Sequence, residues 1–142
     1  MYQIHYNIMT ARYFESLFEF DALCSNISQI DENIELIAVL NNKGRAIEMT
    51  AKENGVNKDL TPMKREMLFM ESVLKSNMNK EHNHEFGNVY SSILEREKFT
   101  VFSFEMLEYV ILVISKTIIN PMELKNRISE IIINSRKVEL AQ

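Results

Sequence analysis

The sequence predicts an α/β domain of the α+β type, built on one five-stranded antiparallel sheet. Helical and strand-like patterns alternate in the order α-β-β-α-β-β-β-α. The two most apolar runs, residues 34–40 and 109–115, are typical of strands buried on both faces. They become central if the strands lie in the order two-one-five-four-three. We expect helices to cover one face of this sheet.

Length and composition indicate one ordinary globular domain. The chain has 142 residues, of which 46% are apolar and 25% are charged. Both fractions are near the globular average, and a chain of this length can bury a sizeable core. Only three Gly and two Pro are present, so no linker divides the chain. We expect an N-terminal arm at residues 1–9, a domain at 10–135 and a tail at 136–142.

Charge and cysteine content narrow the class of partner and the compartment. The net charge of −4 repels phosphate backbones, so we expect no nucleic-acid partner. Residues 1–10 lack the pattern of a signal peptide, and no apolar run approaches the roughly 20 residues that span a bilayer. We therefore expect a soluble, cytoplasmic protein without a membrane partner. The single cysteine, Cys24, excludes an internal disulfide and is interpreted as a buried, inert thiol rather than a reactive one.

The first half of the chain predicts a helix at 10–28, capped by Thr10, and then a β-hairpin. The hairpin strands are residues 34–40 and 45–51. Between them lies Asn41-Asn42-Lys43-Gly44, whose Asn and Gly residues tolerate positive φ. Residues 55–60 are polar and are interpreted as a surface loop.

A second helix should begin at Thr61-Pro62, because Thr can cap a helix and Pro suits its first position. It should end near Asn79, before a polar loop at 80–86 and a stop at Gly87. Large apolar residues recur along it at steps of three and four: Met63, Met67, Met70, Leu74 and Met78. Phe69 and Val73 widen this stripe. Two interpretations stay open, core packing alone or core packing together with a dimer interface.

The second half predicts three strands and a last helix. Residues 89–94 and 99–104 form a hairpin with a charged tip at 95–98, and 109–115 form a central strand. The first of these strands carries small polar residues. It is either a protected edge or an edge that pairs with another chain. The last helix should begin at Asn120-Pro121 and fray after Ser135.

Three stretches, residues 35–45, 96–104 and 110–115, resemble the roadblock family, whose fold is related to profilin and longin domains. The resemblance covers roughly residues 20–133 and is greatest to an uncharacterised archaeal roadblock-like family. It implies a homodimer or heterodimer that pairs through an edge strand and the adjacent helix, and that scaffolds or regulates small Ras-like GTPases. On this chain the pairing elements would be residues 89–94 and 61–78. The candidate interface residues are Met63, Met67, Met70, Leu74, Met78, Tyr90, Ser92 and Leu94.

Catalysis is not expected, since no nucleophile–base pair and no Gly-rich phosphate loop is visible. His82 and His84 lie between two glutamates, but a pair falls short of the three or four ligands of a zinc site. They are interpreted as solvated, and no metal or other cofactor is predicted. A metal-linked enzyme at these histidines and a small-molecule sensor with a Met- and Phe-lined cavity are the alternatives to a protein-binding domain.

Overall fold

The computed structural model of this chain describes residues 19–141, with side chains as far as residue 135. The helices are α1, described over 19–28, α2 (Val56–Asp59), α3 (Pro62–Lys80), α4 (Asn83–Phe86) and α5 (Pro121–Ala141). The strands are β1 (Ile34–Leu40), β2 (Ala46–Ala51), β3 (Ser91–Glu95), β4 (Phe99–Met106) and β5 (Tyr109–Lys116). The predicted arm and the first nine residues of the predicted first helix lie outside the described residues.

The five strands form one antiparallel sheet in the order β2-β1-β5-β4-β3, which confirms the predicted topology. Strands β1 and β5 are central because most of their residues are apolar and point alternately to both faces. All seven residues of β1 are buried. The two edges of the sheet are β2 and β3.

Helices cover both faces of the sheet, so the expectation of a single covered face is wrong. On one face, residues such as Ile37, Val39 and Phe102 pack against α1 and α5. On the other face, Leu36, Ala38 and their neighbours pack against Phe69 and Val73 of α3. Successive residues of a strand point to opposite faces. A strand with apolar residues at every position therefore needs cover on both sides.

Element boundaries differ from the predictions mostly at short helices. Helices α2 and α4, of four residues each, lie in segments predicted as loops. Four residues complete barely one helical turn, so their sequence cannot show a helical period. Helix α5 continues to Ala141, beyond the predicted end at Ser135. The start of α3 is as predicted, since the Thr61 hydroxyl accepts a hydrogen bond from the Lys64 N–H at 3.1 Å.

The turn between β1 and β2 is tightly closed by one asparagine. The Asn41 side-chain oxygen accepts hydrogen bonds from the backbone N–H of Lys43 at 2.9 Å and of Arg45 at 3.1 Å. The backbone N–H of Asn41 donates to the Arg45 carbonyl at 2.9 Å. Gly44 adopts a φ of 77°, a conformation that side chains disfavour. The turn therefore holds Lys43 and Arg45 on a fixed backbone.

Gly44 also lets α3 approach this turn closely. A Cβ at Gly44 would lie 2.6 Å from the Met70 sulfur and 3.0 Å from the Met70 Cα. Positive φ and this close approach both oppose a side chain. We expect Gly44→Ala to lower the free energy of unfolding by about 1 to 3 kcal/mol, measured by urea denaturation.

The Met70→Ala background separates the two causes. It removes the sulfur atom but leaves both the backbone strain at Gly44 and the nearby backbone of α3. The loss caused by Gly44→Ala should therefore be smaller in that background than in the original protein. Equal losses in both backgrounds would show that the Met70 side chain does not restrict this position.

Candidate functional site

Helix α3 presents its methionine stripe to solvent rather than to the core. Its buried side chains are Phe69, Val73 and Ser76. The five predicted stripe residues are between 49% and 72% exposed: Met63, Met67, Met70, Leu74 and Met78. At about 100° per residue, they occupy the side of the helix roughly opposite its buried face. Core packing alone is thus excluded, and Phe69 and Val73 belong to the buried face instead of the stripe.

Strand β3 has an open outer edge in the part of the chain that the structure describes. Its inner edge pairs with β4, with Ser91 opposite Phe104 and Leu94 opposite Val101. The Glu105 N–H donates to the Tyr90 carbonyl at 3.0 Å, and the Arg96 N–H donates to the Phe99 carbonyl at 2.9 Å. Antiparallel pairs alternate between bonded and non-bonded positions.

It follows that the even-numbered residues of β3 bond to β4, while the odd-numbered ones face outward. Ser91, Ile93 and Glu95 therefore direct their backbone N–H and C=O groups away from the sheet. Within residues 19–141 no strand pairs with these groups, and such a row is a template on which another strand can add. The edge is five residues long, which is enough for a short intermolecular ladder.

A groove of about 110 Å³ separates α3 from the adjacent surface of β3 and β4. It has an apolar base with polar walls, and its lining includes Leu68, Ser72, Ser76, Ser92, Leu94 and Val101. Leu94 is 44% exposed. At one end the Ser76 hydroxyl donates to the Glu105 carboxylate, which ties α3 to β4. Here the α3-facing side of β3 and β4 is left partly uncovered by the chain's own helix.

The eight predicted interface residues lie on the outer side of α3 and along β3, on either side of the groove. Ser92 and Leu94 line the groove. Tyr90 directly precedes β3 and is 84% exposed. Met67, Leu74 and Met78 lie next to the groove-lining residues Glu71 and Lys75, because residues three or four apart are neighbours on a helix. Met70, a neighbour of Met67 and Leu74 by the same spacing, lies at the edge of this side that contacts Gly44. Met63, in the first turn of α3, is exposed.

Sequence reasoning missed the groove-lining residues of α3. Leu68, Ser72 and Ser76 recur at a step of four, which is a helical spacing, but two of the three are serines. A search for apolar stripes therefore passes over them. A search for small residues along one helical row would have found this wall of the groove.

The two histidines considered as metal ligands lie on the surface near α4. His82 precedes α4, His84 lies within it, and both are exposed. Among the residues whose positions are described, no three His, Cys, Asp or Glu side chains are grouped to hold a metal ion. No helix within 19–141 is both long and apolar enough to cross a membrane.

Cys24 lies in α1 with no exposed surface. Burial, followed by the nearby carboxylates of Glu48 and Asp21, raises the pKa of its thiol to about 12. The reactive species is the thiolate. We therefore expect the native protein to react with a disulfide reagent at least about a hundredfold more slowly than the urea-unfolded chain. Since Cys24 is the only cysteine, absorbance of the released thiol measures it directly. Equal rates would show that α1 exposes the thiol.

One protein family matches most of this sequence. A family of unknown function (DUF6659) matches residues 15–138. No curated protein matches the sequence significantly.

Solved structures resemble the chain over most of its length. MglB of Myxococcus xanthus superposes with a TM-score of 0.70 at 14% identity, over 99% of this chain and 94% of that one. A roadblock/LC7 domain from Streptomyces avermitilis gives 0.64 at 13% identity, over 84% and 97%. MglB in a tetrameric arrangement gives 0.60 at 9% identity, over 95% of each chain. At such low sequence identity these superpositions bear on the fold alone. They confirm the predicted roadblock fold.

Proposed function

We propose that this chain, which belongs to the family of unknown function DUF6659, is a non-catalytic scaffold that dimerises through β3 and α3. The observation that carries the proposal is the open edge of β3 beside the uncovered groove and the exposed outer side of α3. One partner could both pair with the backbone groups of this edge and bury the apolar side chains next to it.

A second copy of the chain would satisfy this surface. Antiparallel pairing of two β3 strands would join two five-stranded sheets into one. The grooves of the two copies would then face each other across the joined β3 strands, on the same face of the sheet. Such a dimer is isologous, so each favourable contact occurs twice. A stable interface of this kind buries roughly 1,200–2,000 Å² in total.

The proposed role of the dimer is to scaffold or regulate a small GTPase in the cytoplasm, as the roadblock resemblance implies. One of the structural relatives is described as a gliding protein, MglB of Thermus thermophilus, and another MglB structure has a tetrameric arrangement. Oligomerisation on this fold supports the proposal for this chain. That the chain belongs to the archaeal roadblock-like family, and that it forms a heterodimer, stay predictions.

Solution mass tests the proposal directly. Size-exclusion chromatography with light scattering should give a mass near twice the 16.7 kDa of the chain. Dilution over the micromolar range then yields the dissociation constant of the dimer. A mass near 16.7 kDa at every concentration would rule out a homodimer. A thermal-shift screen with metabolites would then test the sensor alternative, because a ligand that binds the native state raises the melting temperature.

A further inference from the structure

A second cleft lies on the flank of α3 that faces away from β3. It measures about 830 Å³ and is bounded by the β1–β2 turn, the start of β2 and the first half of α3. Its apolar lining includes Met49, Phe69 and Met70. Since β2 is the other edge of the sheet, the cleft opens onto a strand edge that the described residues leave unpaired. In the proposed dimer this flank of α3 would remain free.

The charge around this cleft is opposite to that of the whole chain. Lys43, Arg45 and Arg65 line it, against the single carboxylate of Glu66. The chain as a whole carries a net charge of −4. Among the described residues, no carboxylate forms an ion pair with any of the three cations. A partner that brings carboxylates would therefore not have to displace an internal acid.

The Arg65 side chain and the backbone that carries Lys43 and Arg45 are held in place before any partner arrives. The Asn41 side chain fixes the backbone of Lys43 and of Arg45, the two residues that flank Gly44. One terminal N–H of Arg65 donates to the Asn57 side-chain oxygen at 2.8 Å, and Arg65 is half-buried. A preorganised Arg65 side chain loses less conformational entropy on binding than a free one would.

We propose that this cleft docks an acidic segment of a partner protein. Carboxylates of the segment would contact Lys43, Arg45 and Arg65, and an apolar side chain between them would rest on Met49 and Met70. A protein segment fits this cleft better than a small anion does. The cleft is open to solvent, and it extends onto Met70 of α3, whose side chain is 54% exposed. The β2 edge beside it can bond to an extended backbone.

This inference rests on the scaffold function proposed above, but it uses the opposite flank of α3. Loss of docking and loss of dimerisation are therefore separate events. A variant of the cleft should keep the dimer mass, and a variant of β3 should keep the docking surface. Measuring both quantities on each variant shows which proposal has failed.

The test uses a fluorescein-labelled peptide of about twelve residues, alternating Glu and Leu, as a model acidic strand. Anisotropy should show saturable binding to the full-length protein, and the same peptide with Lys in place of Glu should not bind. The double variant Lys43→Glu with Arg45→Glu should weaken binding at least about tenfold. The matched control, Lys98→Glu with Lys116→Glu, makes the same charge change at the far end of the sheet and should bind as the original does.

Amide chemical shifts locate the bound peptide. Shifts concentrated at residues 43–49 and 65–70 would support the cleft. Absence of saturable binding, equal weakening by the control variant, or a footprint along β3 would overturn the proposal. Displacement of the peptide by inorganic phosphate, at ionic strength matched with sodium chloride, would indicate a general anion site and would overturn it as well.

Discussion

Replacing Ser91 with proline should raise the dissociation constant of the proposed dimer about thirtyfold. The Ser91 N–H faces outward from β3, so proline removes a donor to the second chain without breaking a bond to β4. A hydrogen bond contributes about 1 kcal/mol, and in a symmetric dimer each substitution acts twice. The resulting loss of roughly 2 kcal/mol corresponds to the thirtyfold change.

Ser91→Ala is the matched control for this experiment. It removes the hydroxyl but keeps the backbone N–H, so its dimer should dissociate as the original does. Sedimentation at several concentrations gives both constants, and thermal melting at high dilution checks that each monomer stays folded. A proline variant that dimerises unchanged would show that β3 does not pair with a second chain.

The sheet was predictable because its order depends on local patterns. Two runs of mostly apolar residues identify the central strands, and the Asn41–Gly44 turn joins the first hairpin. The same apolar runs also require cover on both faces, since neighbouring residues such as Leu36 and Ile37 point to opposite sides. The expectation of a single covered face neglected this alternation.

The orientation of α3 was less predictable, because this helix is apolar on two sides. Periodicity groups Met67 with Leu74, and Phe69 with Val73, but it does not say which group packs on the sheet. The sheet selects the residues whose shape fits its surface, and Phe69 and Val73 fill the space over β1 and β5. Flexible methionines remain outside.

The basic cleft could not be read from the sequence at all. Lys43 and Arg45 lie about twenty residues before Arg65, and each of them occurs among mixed charges. Only the close approach of Gly44 to Met70 brings them to one surface. That approach depends on a missing Cβ, and its effect on distant charges has no signature in composition or periodicity.

Replacing Leu74 with glutamate should abolish the proposed dimer at micromolar concentration while leaving the fold intact. Leu74 is 61% exposed in the single chain, so a carboxylate there stays hydrated and costs little stability. If the outer side of α3 packs against a second copy, that carboxylate becomes buried without a partner. Burying an uncompensated charge costs about 3 to 5 kcal/mol, so the dissociation constant should rise by more than about a hundredfold.

Three further substitutions to glutamate define which surface is involved. Met67→Glu should act like Leu74→Glu, because both residues lie beside the groove. Met70→Glu should leave the dimer intact, because its side chain lies at Gly44 on the other flank. Met122→Glu, on α5 across the sheet and 56% exposed, is the matched control. If Leu74→Glu still dimerises while Met70→Glu does not, the copies associate through the flank next to β2, and the edge of β3 is free for another partner.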